Sequence, residues 1–255
     1  MIFRIRVRAG ALLLVVCGIG AALWAGDPPP PPSLAAVVPA EDMIAQVRTF
    51  ETSMKGMLAD EKTYQDEAHK LAREAHALAA VGLALGLYDS EHELKAAAPA
   101  LVESARKLAA AKDYAAAQAA FAEVDAALAG KAKNEAAPTT KPEKVASMGQ
   151  LMKQVTFVNN RLKRGLRRLG DKTDEKARDT ALLAAIAQAI TYDTHEVKHD
   201  EQRDQWYRFC GEMRDAAGQL NAQIKAADKQ GAERAAKRLG QSCEACHQVF
   251  RPEQK

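Results

Sequence analysis

The sequence predicts an all-α protein made of two antiparallel four-helix bundles in tandem. Its composition favours helix, because Ala, Leu, Lys, Glu, Gln and Arg dominate and aromatic residues make up only 5% of the chain. Apolar residues recur at intervals of three and four, which is the spacing of amphipathic helices. Two breaks rich in Pro, Ala and Thr divide the chain, and the short connections between the helices on either side are typical of antiparallel bundles.

These breaks predict five segments along the chain. They are a signal peptide or anchor (1–26), a stiff Pro-rich spacer (27–41), a first bundle (42–130), a linker (131–142) and a second bundle (143–252). The first bundle is predicted to contain helices at 42–59, 61–88, 90–111 and 113–129. Pro99 is expected to break or kink the third of these helices, because proline cannot continue a helix ladder.

The second bundle has the clearest periodicity. Its helices are predicted at 143–169, 174–192, 200–227 and from 229 to the region of residue 247. One apolar stripe runs along the first helix through Met148, Leu151, Val155, Val158, Leu162, Leu166 and Leu169. Asp228 is the expected N-cap of the last helix, and the pair Asp113-Tyr114 aligns with Asp228-Lys229. This alignment suggests an internal duplication.

Charge is distributed unevenly, although its total is small. Residues 27–141 hold 12 Lys/Arg against 17 Asp/Glu, and residues 142–255 hold 21 against 16. The formal net charge of +3 equals the three arginines near the amino terminus, so no basic excess is left for a nucleic-acid partner. The halves could attract each other, or the basic half could steer towards an acidic redox partner; two ordinary solvated surfaces are the plainer alternative.

The amino terminus has the pattern of an export signal. Arg4, Arg6 and Arg8 precede an apolar run of 15 residues from Gly10 to Trp24, which is short for a membrane span. Because the cleavage site is not clean, retention as an uncleaved N-terminal anchor stays open. The expected location is therefore outside the cytoplasm, in a periplasm.

Five residues near the carboxyl terminus, Cys243-Glu-Ala-Cys246-His247, form the attachment signature of a c-type haem. Each cysteine sulfur adds across one haem vinyl group, and the adjacent His247 is then held below the iron as its proximal ligand. A disulfide or half of a zinc site is the alternative, but no second Cys/His pair lies at zinc-finger spacing. Cys210 is expected to be a buried apolar residue. The first bundle has no haem ligands, so one haem c is predicted.

A haem motif on the last helix of a bundle resembles the class II c-type cytochromes, the cytochrome c′ family. The resemblance covers 143–252 well and 42–130 only as an architecture, and it includes Phe250 and Arg251 after the histidine. It implies that the first helix of the second bundle faces the distal side of the iron. The distal position then falls on or next to Met152, a candidate sixth ligand, with Met148 one turn earlier as its competitor; packing in the core is the alternative for both.

A second motif indicates a different class of protein. His195-Glu196-Val197-Lys198-His199 matches HExxH, in which two histidines on one helix face bind zinc and the glutamate is the general base. The segment lies at a predicted junction between two helices, and the chain has no strand pattern. We therefore expect a solvated turn there and keep the zinc peptidase as a remote alternative.

The sequence thus predicts a non-enzymatic electron-transfer protein with soluble or membrane-bound redox partners. The alternative is a five-coordinate haem that binds nitric oxide or another small gas as sensor or scavenger. By the resemblance, a homodimer is one oligomeric state to expect.

Overall fold

The computed structural model describes residues 33–131 and 145–251, and within these ranges it contains helices and no strand. The predicted all-α class is confirmed. The predicted signal (1–26), the start of the spacer and nearly all of the linker lie outside the described residues. The helices are α1 (Ala40–Met57), α2 (Glu61–Gly86), α3 (Ala98–Ala110), α4 (Tyr114–Leu128), α5 (Met148–Gly165), α6 (Thr173–Thr191), α7 (Arg203–Lys225) and α8 (Lys229–Phe250).

Three helices begin at an aspartate whose carboxylate accepts a hydrogen bond from a backbone N–H of the first turn. Asp60 accepts from Thr63 at 2.8 Å, Asp113 from Ala116 at 2.8 Å, and Asp228 from Gly231 at 3.0 Å. These caps satisfy amide groups that have no partner inside the helix. The predicted cap at Asp228 is confirmed.

The third helix is shorter than the predicted range 90–111. It begins at Ala98, and Pro99 lies in its first turn. Proline fits there because the N–H that it lacks would have no partner inside the helix. The preceding segment forms turns, in which Lys95 Nζ donates to the carbonyl oxygen of Tyr88 at 2.8 Å.

The first helix of the second half also begins later than predicted, at Met148 instead of residue 143. Residues 143 and 144 lie outside the described part, and Val145 to Ser147 precede the helix. Val145 is buried, and the Ser147 N–H donates to His76 Nδ1 of α2 at 3.3 Å. These tertiary contacts hold the entry to α5 in a non-helical path.

The described end of the predicted spacer is not extended. Leu34–Ala36 form a 3-10 turn, and Leu34 and Val38 are both 1% exposed. Asp89 holds this turn by accepting hydrogen bonds from Ser33 Oγ and from the Ala35 N–H at 3.0 Å. The prediction of a stiff spacer is therefore wrong for these residues, because their apolar side chains are buried in the core.

Consecutive helices pack against each other within each half, and α2 and α6 also join the halves. α6 contacts α1, α2, α5 and α7, and every residue from Asp179 to Thr191 is buried. The buried apolar residues of both halves form one continuous cluster. In the second half α6 packs against α5 and α7, and α7 packs against α8, whereas α5 and α8 make few contacts with each other.

Polar contacts also link the acidic first half to the basic second half. Lys225 Nζ of α7 lies 3.0 Å from Asp42 Oδ2 of α1, and Asn221 Nδ2 donates to the same oxygen at 2.9 Å. Arg73 Nε of α2 donates to Gln154 Oε1 of α5 at 2.9 Å. Among the helices described, none is long and apolar enough to cross a membrane.

Candidate functional site

The motif Cys243–His247 occupies the last two turns of α8, which runs to Phe250. α8 is amphipathic: Ala232, Ala235, Leu239 and Ser242 are buried on the side that packs against α7. The motif follows this face without a break in the helix. Its residues are therefore presented by a rigid element, at the end of α8 that lies far from its cap.

Phe250 anchors this end of the helix. Its side chain is 7% exposed, and its ring meets Trp206 edge-on with centroids 5.1 Å apart and Phe209 with centroids 6.2 Å apart. Edge-to-face ring pairs stabilise beyond the burial of their area. Trp206 is fixed in turn, because its Nε1 donates to the carbonyl oxygen of Ile190 at 3.1 Å. The aromatic residue noted after the histidine therefore fixes the position of the motif.

Cys243 is half-buried beside α5. The Asn159 side chain and the Lys163 ammonium lie near its sulfur. Burial raises the pKa of Cys243, and Ser242, Lys163 and Asn159 only partly oppose this effect. These neighbours place the start of the motif beside the carboxyl-terminal half of α5.

Cys246 is also half-buried and lies near both Cys243 and Cys210 of α7. Burial, with the neighbouring Cys243, raises the pKa of Cys246 to about 11. Cys210 is 2% exposed, as predicted for a buried apolar residue, and burial raises its pKa as well. All three thiols are free and protonated at neutral pH. Protonated thiols are poor metal ligands, whereas a thioether bond leaves no charge on sulfur.

His247 is exposed at the end of α8. Its backbone carbonyl accepts a hydrogen bond from Arg251 at 3.1 Å, and within the described part of the chain its ring makes no hydrogen bond. Partial burial and the nearby Arg251 lower the pKa of His247. The imidazole is therefore neutral at pH 7 and has a nitrogen lone pair available for a metal.

Met152 and Met148 are half-buried on α5 at the edge of the core. Met152 precedes Asn159 by seven residues, so the two share one helix face about 10 Å apart along the axis. The short connections between consecutive helices make α8 run antiparallel to α5, and the chain from Cys243 to His247 therefore leads towards Met152. Met152 shares its face of α5 with Asn159, a neighbour of Cys243, and Met148 is the first residue of that helix.

This arrangement fits a covalently attached haem. Two unpaired thiols one turn apart and a neutral imidazole supply the donor set, and α5 and α8 make few contacts with each other. Half-buried Met148, Met152 and Ala245 give this region an apolar edge. The sequence predicts the motif but not that Asn159, Lys163 and Cys210 are its neighbours. For the two α5 residues a signal was present, because Met152, Asn159 and Lys163 are spaced seven and four residues apart and so share one helix face.

The HExxH segment lies in the turn between α6 and α7 and is not helical. His195 Nδ1 lies 2.5 Å from Asp193 Oδ1, and His199 has an extended backbone just before the 3-10 turn that leads into α7. The predicted inter-helix turn is confirmed. In the ranges 33–131 and 145–251, no group of three or more His, Cys, Asp or Glu side chains is placed to hold a metal ion.

The Asp193 carboxylate raises the pKa of His195 through a hydrogen bond. Both groups belong to a local ion pair at the surface of the turn.

Comparison of the chain with protein-family models, with curated proteins and with solved structures gives no match.

Proposed function

We propose that this protein is an exported c-type cytochrome that carries one covalently bound haem and transfers single electrons. The observation that carries the proposal is the motif Cys243–His247 at the end of α8, with Cys243 near Asn159 and Lys163 of α5. The proposed fold is a pair of four-helix bundles, α1–α4 and α5–α8, packed side by side. The order of contacts between consecutive helices supports this arrangement.

Cys243 and Cys246 would hold the haem through thioether bonds, and His247 would be the proximal ligand of the iron. The bound haem would supply a one-electron iron couple. The lowered pKa of His247 supports this role, because a neutral imidazole is the form that ligates. Phe250 would keep the ligand at a fixed place on α8.

The distal side would be formed by α5. Met152 is the proposed sixth ligand, because it lies on the helix face that meets Cys243; Met148, one turn earlier, is its competitor. A thioether ligand raises the reduction potential, which suits an electron carrier. Apolar neighbours such as Leu151 and Val155 would keep water from that side.

The decisive experiment is expression of the exported chain together with a haem-attachment system. Purified protein should be red, and its mass should exceed that of the polypeptide by one haem. Cys243→Ala and Cys246→Ala should each remove one of the two bonds. Cys210→Ala is the matched control, because that thiol lies beside the motif and outside it, and this variant should retain the full haem content. Colourless wild-type protein with both motif thiols unmodified would refute the proposal.

Distal ligation is tested separately. Met152→Ala should abolish the far-red sulfur-to-iron absorption band, whereas Met148→Ala should retain it. If the wild type lacks this band and binds nitric oxide without displacing a ligand, the iron is five-coordinate. The gas-binding alternative would then replace electron transfer as the proposed function.

The proposed partners are redox proteins, soluble or membrane-bound. We expect the partner to present an acidic docking surface, because the second half of this chain carries the basic excess. A nucleic-acid partner is not proposed. A homodimer is proposed as one assembly, which sedimentation of the holoprotein would test. Cell fractionation and the amino-terminal mass of the product would test a periplasmic location and cleavage of residues 1–26.

A further inference from the structure

A pocket of about 390 Å³ lies where the end of α5, the turn after it and the start of α6 meet. Its size is within the range of small-ligand pockets. It is lined by Arg161, Arg164, Gly165, Arg168, Asp171, Lys172, Glu175, Lys176 and Asp179. Five of these residues are cationic and three are acidic, so the lining has a net positive charge.

Two of the three carboxylates are already neutralised by cations of the same lining. Arg161 binds buried Asp179 through both Nε, at 2.7 Å, and Nη2, and it lies 4.0 Å from Glu175. Lys172 Nζ lies 3.2 Å from Glu175. Among the described residues, Arg164, Arg168 and Lys176 have no carboxylate within salt-bridge distance. Asp171 is the third carboxylate of the lining, so these three side chains leave the pocket with a net excess of two positive charges.

Lys176 is the most telling of the three. It is 4% exposed, and its ammonium makes one long hydrogen bond, 3.3 Å, to the carbonyl oxygen of Leu169. Gly165 makes room for it, because a Cβ at that position would lie 3.0 Å from Lys176 Cε. A buried ammonium without a counter-ion is costly, so the site is stabilised when an anion supplies the missing charge.

The start of α6 adds to the same field. Lys172, the residue before the helix, has a positive φ of 49°, and its side chain offers no acceptor to the first-turn N–H groups of α6. Asp174 and Glu175 in the first turn already oppose the positive end of the helix dipole, so the start of α6 contributes N–H donors, and the pocket cations supply the charge that attracts an anion. Lys172, Glu175 and Lys176 belong to both this turn and the pocket lining.

We propose that this pocket binds a small polyvalent oxyanion, held by Arg164, Arg168 and the buried Lys176. The anion could come from a phosphate compound or from a polycarboxylate, and both chemistries match guanidinium forks and helix N–H groups. The inference does not depend on haem attachment, because no pocket residue belongs to the motif. It is therefore testable on the chain with or without haem.

The test uses the purified full chain titrated with pyrophosphate in one arm and citrate in the other, at constant ionic strength maintained with chloride. Calorimetry should show saturable binding, and the melting temperature should rise with ligand concentration. The arm with the tighter binding identifies the chemical source. No saturable binding in either arm, or a rise that chloride alone reproduces, overturns the proposal.

Variants locate the site. Lys176→Met retains the apolar stem and removes the charge, so binding should weaken about tenfold or more while the ligand-free protein melts higher. Arg164→Gln changes an exposed side chain and should weaken binding without affecting the fold. Lys62→Gln, an exposed cation in α2, is the control and should bind as the wild type does. If the Lys176 and Arg164 variants both bind the anion as tightly as the wild type does, the assignment of the site is overturned.

Discussion

Phe250 is expected to hold the end of α8, and with it the motif, against the second half. In Phe250→Ala the cavity left between Trp206 and Phe209 should destabilise the protein, because buried Phe-to-Ala changes cost about 3–5 kcal/mol. Phe250 is the last residue of its helix, where the chain can relax, so we expect the lower end, about 3 kcal/mol. At about 2–4 °C per kcal/mol, the melting temperature should fall by about 6–12 °C.

The assay combines urea denaturation with hydrogen exchange, in a Cys243→Ser, Cys246→Ser background so that no haem bond holds the helix. Loss of the anchor should speed amide exchange selectively over the last two turns of α8. Phe121→Ala is the matched control: Phe121 is 8% exposed in α4, and its loss should destabilise the protein while α8 exchanges as before. If Phe250→Ala costs less than about 1 kcal/mol, or the end of α8 retains its protection, the anchoring role is wrong.

Two further predictions concern the junction of the halves. Burial raises the pKa of Glu74, whose Oε2 has no hydrogen-bond partner, so the native state retains a proton that the unfolded chain has lost. The free energy of unfolding should therefore fall as pH rises from the ordinary carboxyl pKa through the raised pKa of Glu74. Urea titrations of Glu74→Gln should show a smaller fall over the same pH range. Gly218→Ala should cost about 1–3 kcal/mol by thermal melting, because its Cβ would lie 2.6 Å from the Val37 carbonyl oxygen, whereas Gly240→Ala meets nothing and should not destabilise.

The helices were predictable because their signals are local. Asp113 and Asp228, aligned from the sequence alone, both cap the helices that follow them. The start of α5 was not predictable in the same way, because the Ser147 N–H bonds to His76, a residue 71 positions earlier in the chain. Contacts of this kind leave no periodic trace in the sequence.

The shared core was missed because alanine has two meanings in a helical sequence. In the predicted helix 174–192, Ala177, Leu182, Leu183, Ile186 and Ile190 form the apolar face that the sequence marks as core, and the other alanines count as ordinary helix formers. In the structure Ala181, Ala184, Ala185, Ala187 and Ala189 are buried as well, at 5% exposure or less. Small side chains let α1 and α2 approach α6 on faces that a hydrophobic pattern alone leaves to solvent.

The motif itself was predictable because its chemistry depends on spacing along one helix, but its surroundings were not. Asn159 and Lys163 appear in the sequence as polar residues beside an apolar stripe, and only the fold places them at the Cys243 sulfur. The position of Cys210 was not predictable for the same reason: it lies on α7 and comes near Cys246 only because α7 packs against α8.

The ends of α4 and α8, the last described helix of each half, differ in how far their side chains are buried. At the end of α4, Ala127 and Leu128 are 1% and 7% exposed, so that turn is closed by its own side chains. At the end of α8 the motif thiols are half-buried and His247 is exposed, although Phe250 just beyond them is anchored. A rigid helix end that leaves thiols and an imidazole partly uncovered gains stability when a large apolar group covers them. Haem attachment should therefore raise the melting temperature of the wild type, and Met152→Ala should reduce that gain if α5 supplies the other wall.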